Sequence, residues 1–140
     1  MSDELTKWLN DNYPISAKEM ANSSDRQCVQ HALKKWKGAL KAKAYNLTYD
    51  DHAISLGARG FLFDSDSCSL CKKYPSDCRS RESRIPCPIV RYRGEPCEGY
   101  PNIYLRSCDD PKPMINLLKE TLNFIKQERA VIVGNKNRPK

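Results

Sequence analysis

A cysteine- and proline-rich stretch constrains the fold of this chain more than any other feature. Five of the seven cysteines lie between residues 68 and 97, and seven of the nine prolines lie between Pro75 and Pro113. Proline removes a backbone donor and breaks helices, so we expect a loop-rich lobe here. Such a lobe buries too little apolar surface to order itself, and disulfides or a metal ion must then hold it together.

The start of the chain favours metal over disulfides. The segment MSDELTKWLNDNYP has no basic region followed by an apolar run, and no later window approaches the length of a membrane span. We therefore expect a cytoplasmic protein without a membrane segment. Thiols remain reduced in the cytosol, and an odd number of cysteines does not suit a disulfide framework.

The cysteine spacing predicts a zinc site. Cys68 and Cys71 form a Cys-x-x-Cys turn, which directs two sulfur atoms toward one ion. Three further thiols lie close enough to complete the site, and spacing alone does not say which of them do. The predicted ligands are Cys68, Cys71, Cys78, Cys87 and Cys97. An iron–sulfur cluster is the less favoured cofactor.

A thioredoxin-like dithiol is the catalytic alternative. Lys72 and Lys73 follow the motif and would lower a thiol pKa, but Pro75 leaves little room for the helix that such a site requires. The chain also has no serine triad, phosphate-binding glycine loop or HExxH helix. The sequence therefore predicts a protein that is not an enzyme, and a small-molecule substrate is not expected.

Three residues outside the stretch have simpler interpretations. Cys28 and Cys108 are expected to be ordinary thiols, Cys28 beside the apolar side of a helix. His52 follows Asp50 and Asp51, a combination that could form a metal or acid–base cluster. A turn explains these residues more simply.

Apolar periodicity predicts helices on both sides of the lobe. Leu5, Trp8 and Leu9 indicate a first helix, and Ser16 with Glu19 indicates a capping box for a second. Ser24 or Asp25 begins the longest helix, whose apolar side includes Val29, Ala32 or Leu33, Trp36 and Leu40. Asp109-Asp110-Pro111 begins a last helix that runs to about Gln127. Phe61, Leu62 and Phe63 are expected in the core, and AVIVG as a brief edge strand.

These patterns predict a mainly α fold. We expect a single small helical domain over residues 1–134, with helical parts at 1–45 and 109–128. An irregular, metal-stapled cysteine-rich lobe occupies residues 64–108, and residues 135–140 form a basic flexible tail.

The charge of +7 is concentrated in two segments, one on the long helix and one in the lobe. Such patches favour anionic partners, although many charge runs are only solvated surface. The predicted partner-binding residues are Lys34, Lys35, Lys37, Lys41, Arg79, Arg81, Arg84, Arg91 and Arg93.

The order of these motifs resembles a family of small phage and prophage proteins. The resemblance rests on the helix KKWKGAL, then Cys68-x-x-Cys71, Cys78, Cys87-Pro88 and Cys97, over residues 29 to 105. In that family the second cysteine pair is close-set, whereas RSRESRIP separates Cys78 from Cys87 here. The resemblance implies a phage accessory protein in the host cytoplasm with a cysteine-held knuckle, and it brings no catalytic residue.

Two functions follow from these features. The first is a non-enzymatic binding protein that inhibits or modulates a host nucleic-acid-handling or defence protein. The second is direct binding of DNA or RNA through the basic residues. Thiol redox chemistry is a third and weaker alternative.

Overall fold

The computed structural model describes residues 3–56, 59–74, 87–98 and 101–136, with side chains as far as residue 128. It is mainly α, as predicted, with one small antiparallel sheet. The helices are α1 (Glu4–Asn12), α2 (Ala17–Met20), α3 (Asp25–Leu40), α4 (Ser69–Lys73), α5 (Pro88–Arg93), α6 (Ile103–Arg106) and α7 (Lys112–Lys136). The strands are β1 (Thr48–Asp50), β2 (Ala53–Leu56) and β3 (Arg59–Leu62), and short 3-10 helices cover Ala42–Tyr45 and Ser65–Ser67.

The second and third helices begin where their capping residues predict. Ser16 accepts a hydrogen bond from the amide of Glu19 at the start of α2. Ser24 and Gln27 form a capping box at the start of α3, in which each side chain accepts from the backbone amide of the other residue. Side-chain oxygens thus satisfy amides that have no partner inside the helix.

The core lies between α3 and its neighbours, of which α7 makes the most extensive contact. Trp8 on α1 is fully buried and donates from Nε1 to the carbonyl oxygen of Gly38, 2.9 Å away. A Cβ atom on Gly38 would lie 2.8 Å from side-chain atoms of both Trp8 and Asn12. Only glycine therefore lets α1 lie this close to α3.

A three-stranded sheet occupies residues 48–62, where no strand was predicted. Its order is β1-β2-β3, with Tyr49 opposite Ile54 and Ile54 opposite Phe61. Ile54 is fully buried, whereas the residues around it are mostly half-buried or exposed. The strands are only three or four residues long, which explains why no clear alternation appears in the sequence.

Two predicted core residues lie at the surface. Phe63 is fully buried and Phe61 is half-buried, but Leu62 is 60% exposed because strand neighbours point to opposite faces. Leu40, at the end of α3, is 51% exposed because the helix ends there and the chain turns away.

The last helix is longer than predicted. It begins directly after Asp110-Pro111, as expected, but it continues to Lys136. The edge strand predicted for AVIVG is wrong, because those residues extend the helix, and residues 135–136 of the predicted flexible tail are helical as well. Residues 137–140 lie outside the described part of the chain.

The predicted loop-rich lobe contains three short helices among its described residues, α4, α5 and α6. Each of them has four to six residues. α4 packs against α2 and α3, and α5 and α6 pack against α7. Within the described residues, every helix is too short or too polar to cross a membrane.

Candidate metal centre

Three of the predicted ligand cysteines line one small cavity between the lobe and the helical core. Cys68 and Cys71 lie at the start of α4 and within it, and Cys97 follows α5. The cavity has a volume of about 40 Å³, enough for an ion or a water molecule and far too small for a substrate. Its other walls are mostly apolar, and they include Trp36, Phe63 and Leu118. The six described cysteines form no disulfide.

A buried lysine also faces this cavity. Lys35 on α3 is 1% exposed, and its Nζ donates to the carbonyl oxygen and the Oγ of Ser67, at 3.0 and 3.1 Å. The ammonium also lies 5.2 Å from the centre of the Phe63 ring. Among the described residues, Lys35 has no carboxylate within salt-bridge distance. Burial lowers the pKa of Lys35, and negative charge on Cys68, Cys71, Asp64 or Cys97 would raise it.

The thiol of Cys68 is not activated in the absence of metal. A hydrogen bond with Cys71 and burial hold the pKa of Cys68 well above its ordinary value, and the charge of Lys35 opposes this only in part. A redox-active thiol requires the opposite shift. This arrangement disfavours the thioredoxin-like alternative, as does the short length of α4, which has five residues.

The other two predicted ligands are Cys87 and Cys78. Cys87 is buried at the start of α5 but does not line it. Cys78 lies outside the described residues. The thiols of Cys68, Cys71 and Cys97 are not all within 4.8 Å of one another. In the described part of the chain, the one group of three ligand atoms that meets this distance is Asp51, His52 and Cys108.

The predicted partner-binding residues divide into three sets. Lys34, Lys37 and Lys41 are exposed and line a cleft of about 720 Å³ beside α1. We call this surface the lysine cleft. Arg79, Arg81 and Arg84 lie outside the described residues. The others, Lys35, Arg91 and Arg93, have intramolecular roles.

These three basic residues are held within the protein. Lys35 is buried, so its predicted contact with a partner is not supported. Arg91 forms ion pairs with Asp25 and Glu128, at 3.2 and 3.1 Å, and it joins α5 to α3 and α7. Arg93 donates to the carbonyl oxygens of Glu95, Pro96 and Pro101 and so shapes the loop after α5.

Sequence reasoning missed Lys35 as part of the cysteine site, although its position carried a signal. Cys28, Ala32, Lys35 and Ala39 follow one another at helical spacings of four, three and four residues, and the other three are small and apolar. Lys35 therefore occupies a buried position of α3. Its charge led us to assign it to the surface.

Comparison with known proteins gives no relative from which to assign a function. The chain matches no protein-family model, no curated protein and no solved structure.

Proposed function

We propose that this protein is a non-enzymatic binding protein whose cysteine lobe is held by a structural zinc ion. The observation that carries the proposal is the burial of Lys35 among thiols. An ammonium group that leaves water loses several kcal/mol of solvation, and neutral hydrogen-bond partners restore only part of it. Asp64 also lines the cavity but forms no ion pair with Lys35, and thiolates bound to a metal would supply further negative charge.

A zinc site in this region would complement the charge of Lys35. Zn²⁺ with four thiolates carries two net negative charges, of which Lys35 offsets one. Cys68, Cys71 and Cys97 are the candidates for three of these thiolates, because they share the cavity with Lys35. A fourth ligand would come from Cys78 or Cys87, with zinc–sulfur bonds of about 2.3 Å.

Zinc would join parts of the chain that are distant in sequence. Cys68 and Cys71 belong to the α4 region, which packs on α3, whereas Cys97 lies between α5 and α6, which pack on α7. The binding energy of the ion would thus contribute directly to folding of the lobe.

The lysine cleft is the surface we assign to the partner. Lys34 and Lys37 lie on one exposed side of α3, and Lys41 directly follows it. Asp11 also lines the cleft, where it accepts a hydrogen bond from Tyr45, and no acidic residue among those described forms an ion pair with the three lysines. An anionic partner gains long-range attraction from such a patch. The resemblance to phage proteins favours a host nucleic-acid-handling or defence protein with an acidic surface as this partner.

Metal analysis tests the zinc site. Protein purified without added chelator should contain zinc, measured by elemental analysis together with a count of reactive thiols. The double variant C68S/C71S should lose this zinc. C28S is the matched control, because Cys28 is a buried thiol that does not line the cavity, and it should keep the zinc. Equal metal content in C68S/C71S and C28S would contradict the proposal.

Salt dependence tests the partner. The triple variant K34A/K37A/K41A should lose binding to the host partner, whereas K18A/K119A/K126A removes equal charge from other exposed positions and should retain it. A direct nucleic-acid binder would instead bind short DNA or RNA at low salt and lose affinity steeply as salt is added. That result would favour direct binding of DNA or RNA over binding of a host protein.

A further inference from the structure

A second group of ligand atoms lies at the tip of the β1–β2 hairpin. Asp51, His52 and Cys108 each place one ligand atom within 4.8 Å of the others. Asp51 and His52 are the two residues between β1 and β2, and Cys108 lies between α6 and α7. The group is separate from the cavity at Cys68, since none of its three residues lines that cavity.

The hairpin turn confirms part of the sequence interpretation and explains the geometry. Asp51 and His52 have φ angles of 52° and 58°, the left-handed values that a two-residue hairpin turn requires at both positions. The backbone amide of His52 donates to the carbonyl oxygen of Cys108, 2.9 Å away. The turn therefore holds both of its side chains beside the cysteine.

The sulfur and carboxylate atoms are already at a suitable separation. Cys108 Sγ lies 3.4 Å from Asp51 Oδ1. Two ligands of a tetrahedral zinc ion, at bond lengths of about 2.3 and 2.0 Å, are about 3.5 Å apart. The pair could thus hold an ion without moving the backbone.

The imidazole is oriented by groups outside the cluster. His52 Nε2 lies 2.6 Å from the carbonyl oxygen of Tyr104, and the two rings stack with their centres 4.0 Å apart. Because a carbonyl oxygen only accepts hydrogen bonds, Nε2 carries a proton, and Nδ1 of the neutral ring offers a lone pair. Histidines that bind metals commonly use one nitrogen for the ion and donate the other N–H to a carbonyl group in this way.

We propose that Asp51, His52 and Cys108 form a second zinc site, which joins the hairpin tip to the segment between α6 and α7. One sulfur, one nitrogen and one oxygen ligand suit zinc and exclude calcium and magnesium, which bind oxygen. Asp51 is exposed, so water can reach the site and would be available as a fourth ligand. This inference does not depend on the site at Cys68.

Cysteine-resolved alkylation tests the site directly. Reduced, metal-free full-length protein is treated with iodoacetamide with and without zinc, and the modification of each cysteine is followed by peptide mass spectrometry. Zinc should slow the alkylation of Cys108 by roughly tenfold or more, since a metal-bound thiolate is protected, and a chelator should restore the rate. Equal rates with and without zinc would overturn the proposal.

The H52N variant provides the matched comparison. Asparagine adopts left-handed φ angles readily, so the variant should keep the turn while it removes the imidazole. Without zinc, its Cys108 should react as in the wild type, and with zinc its protection should disappear. Persistence of the protection in H52N would show that zinc binds Cys108 without His52, and this too would overturn the proposal.

The same measurement distinguishes the two proposed zinc sites. Protection of Cys68 and Cys71 reports on the cavity, and protection of Cys108 reports on the hairpin site. In C68S/C71S, Cys108 should still be protected by zinc. If that variant does not fold, H52N still decides the question, because His52 is a half-buried turn residue outside the hydrophobic core.

Discussion

The two sides of α3 bury groups of different chemistry, an apolar ring on one side and a charged ammonium on the other. Toward α1, Gly38 meets the fully buried Trp8 in a close contact that is complete in itself, with its one polar donor satisfied at 2.9 Å. Toward the lobe, Lys35 is equally buried, but its charge has only neutral hydrogen-bond partners at Ser67. On the α1 side of α3, every buried polar group named here has a hydrogen-bond partner. On the lobe side, the buried ammonium of Lys35 would be stabilised by further negative charge nearby.

With the proposed zinc site, this difference would make the folding of the lobe depend on the metal while the rest of the protein remains folded without it. Apolar contacts stabilise at any metal concentration, because they depend only on area removed from water. A buried charge stabilises only with its counter-charge present and destabilises without it. We therefore expect the α1–α3 contact to be insensitive to zinc and the Lys35 region to depend on it.

The largest expected effect is the loss of the Trp8 side chain. Trp8→Ala should lower the free energy of unfolding by about 3–5 kcal/mol, because it leaves a cavity and removes the hydrogen bond from the indole to the Gly38 carbonyl. Urea unfolding should give the same loss in zinc and in chelator. A loss that differed clearly between these two conditions would contradict the independence of this side of α3.

The effect of Lys35→Met on the free energy of unfolding should depend on whether zinc is present. In chelator, the variant should be more stable than the wild type by about 1–4 kcal/mol, because methionine fills a similar volume without a charge to desolvate. In zinc this advantage should vanish or reverse, because the thiolate charge then lacks its counter-charge. The measurement is urea unfolding of both proteins under both conditions. A variant less stable than the wild type in chelator would refute the role assigned to Lys35.

Gly38→Ala tests the close contact of α1 and α3. The added methyl group would lie 2.8 Å from atoms of Trp8 and Asn12, so the helices must separate. We expect a net loss of about 1–3 kcal/mol, despite the higher helix propensity of alanine. Thermal unfolding measures it, with the exposed neighbour Lys37→Ala as a control that should change stability by less than about 0.5 kcal/mol. An alanine at position 38 that raised stability would show that the contact is looser than described.

The smallest expected effect lies where the lobe meets the start of α3. Burial would raise the pKa of Asp25, but hydrogen bonds from Tyr74 and Lys73 and the charge of Arg91 outweigh it and lower the pKa below its ordinary 3.8. The unfolded chain then takes up a proton before the folded protein does as the pH falls. The stability from Asp25 is therefore complete above its unfolded pKa and is lost as the pH falls through the folded pKa.

Asp25→Asn should accordingly cost about 1 kcal/mol at neutral pH and progressively less below pH 3.8. Unfolding curves from neutral to acidic pH measure this difference. Asp66→Asn is the control, since Asp66 is 83% exposed beside Lys72 and its pair should contribute little. A difference between Asp25→Asn and the wild type that did not depend on pH would argue against the network around Asp25.

Local signals were sufficient for the starts of α2, α3 and α7, and not for the sheet, the short helices of the lobe or the last helix end. Ser16, Ser24 and Asp110-Pro111 mark helix starts through hydrogen bonds or φ preferences that involve only neighbouring residues. The β1–β3 strands are too short to show alternation, and their pairing depends on residues far along the chain. AVIVG has high strand propensity, but in the structure it continues α7, because a helix already formed extends at little cost.

The candidate sites follow the same division. Cys-x-x-Cys was visible in the sequence because its two thiols are neighbours, whereas the approach of Cys97 and the burial of Lys35 arise from packing of α3 against the lobe. His52 and Cys108 are 56 residues apart in the chain, and neither carries a local pattern that points to the other.

The sequence by itself determined the mainly α class, the helix starts and the prediction of a cysteine-rich lobe in need of a cross-link. These depend on propensities, capping and composition, which act over a few residues. Only the tertiary structure decided which charges are buried and which ligand groups meet. Burial and proximity are set by how distant segments pack, because the cost of desolvating a lysine or the approach of a histidine to a thiol exists only once those segments are in contact.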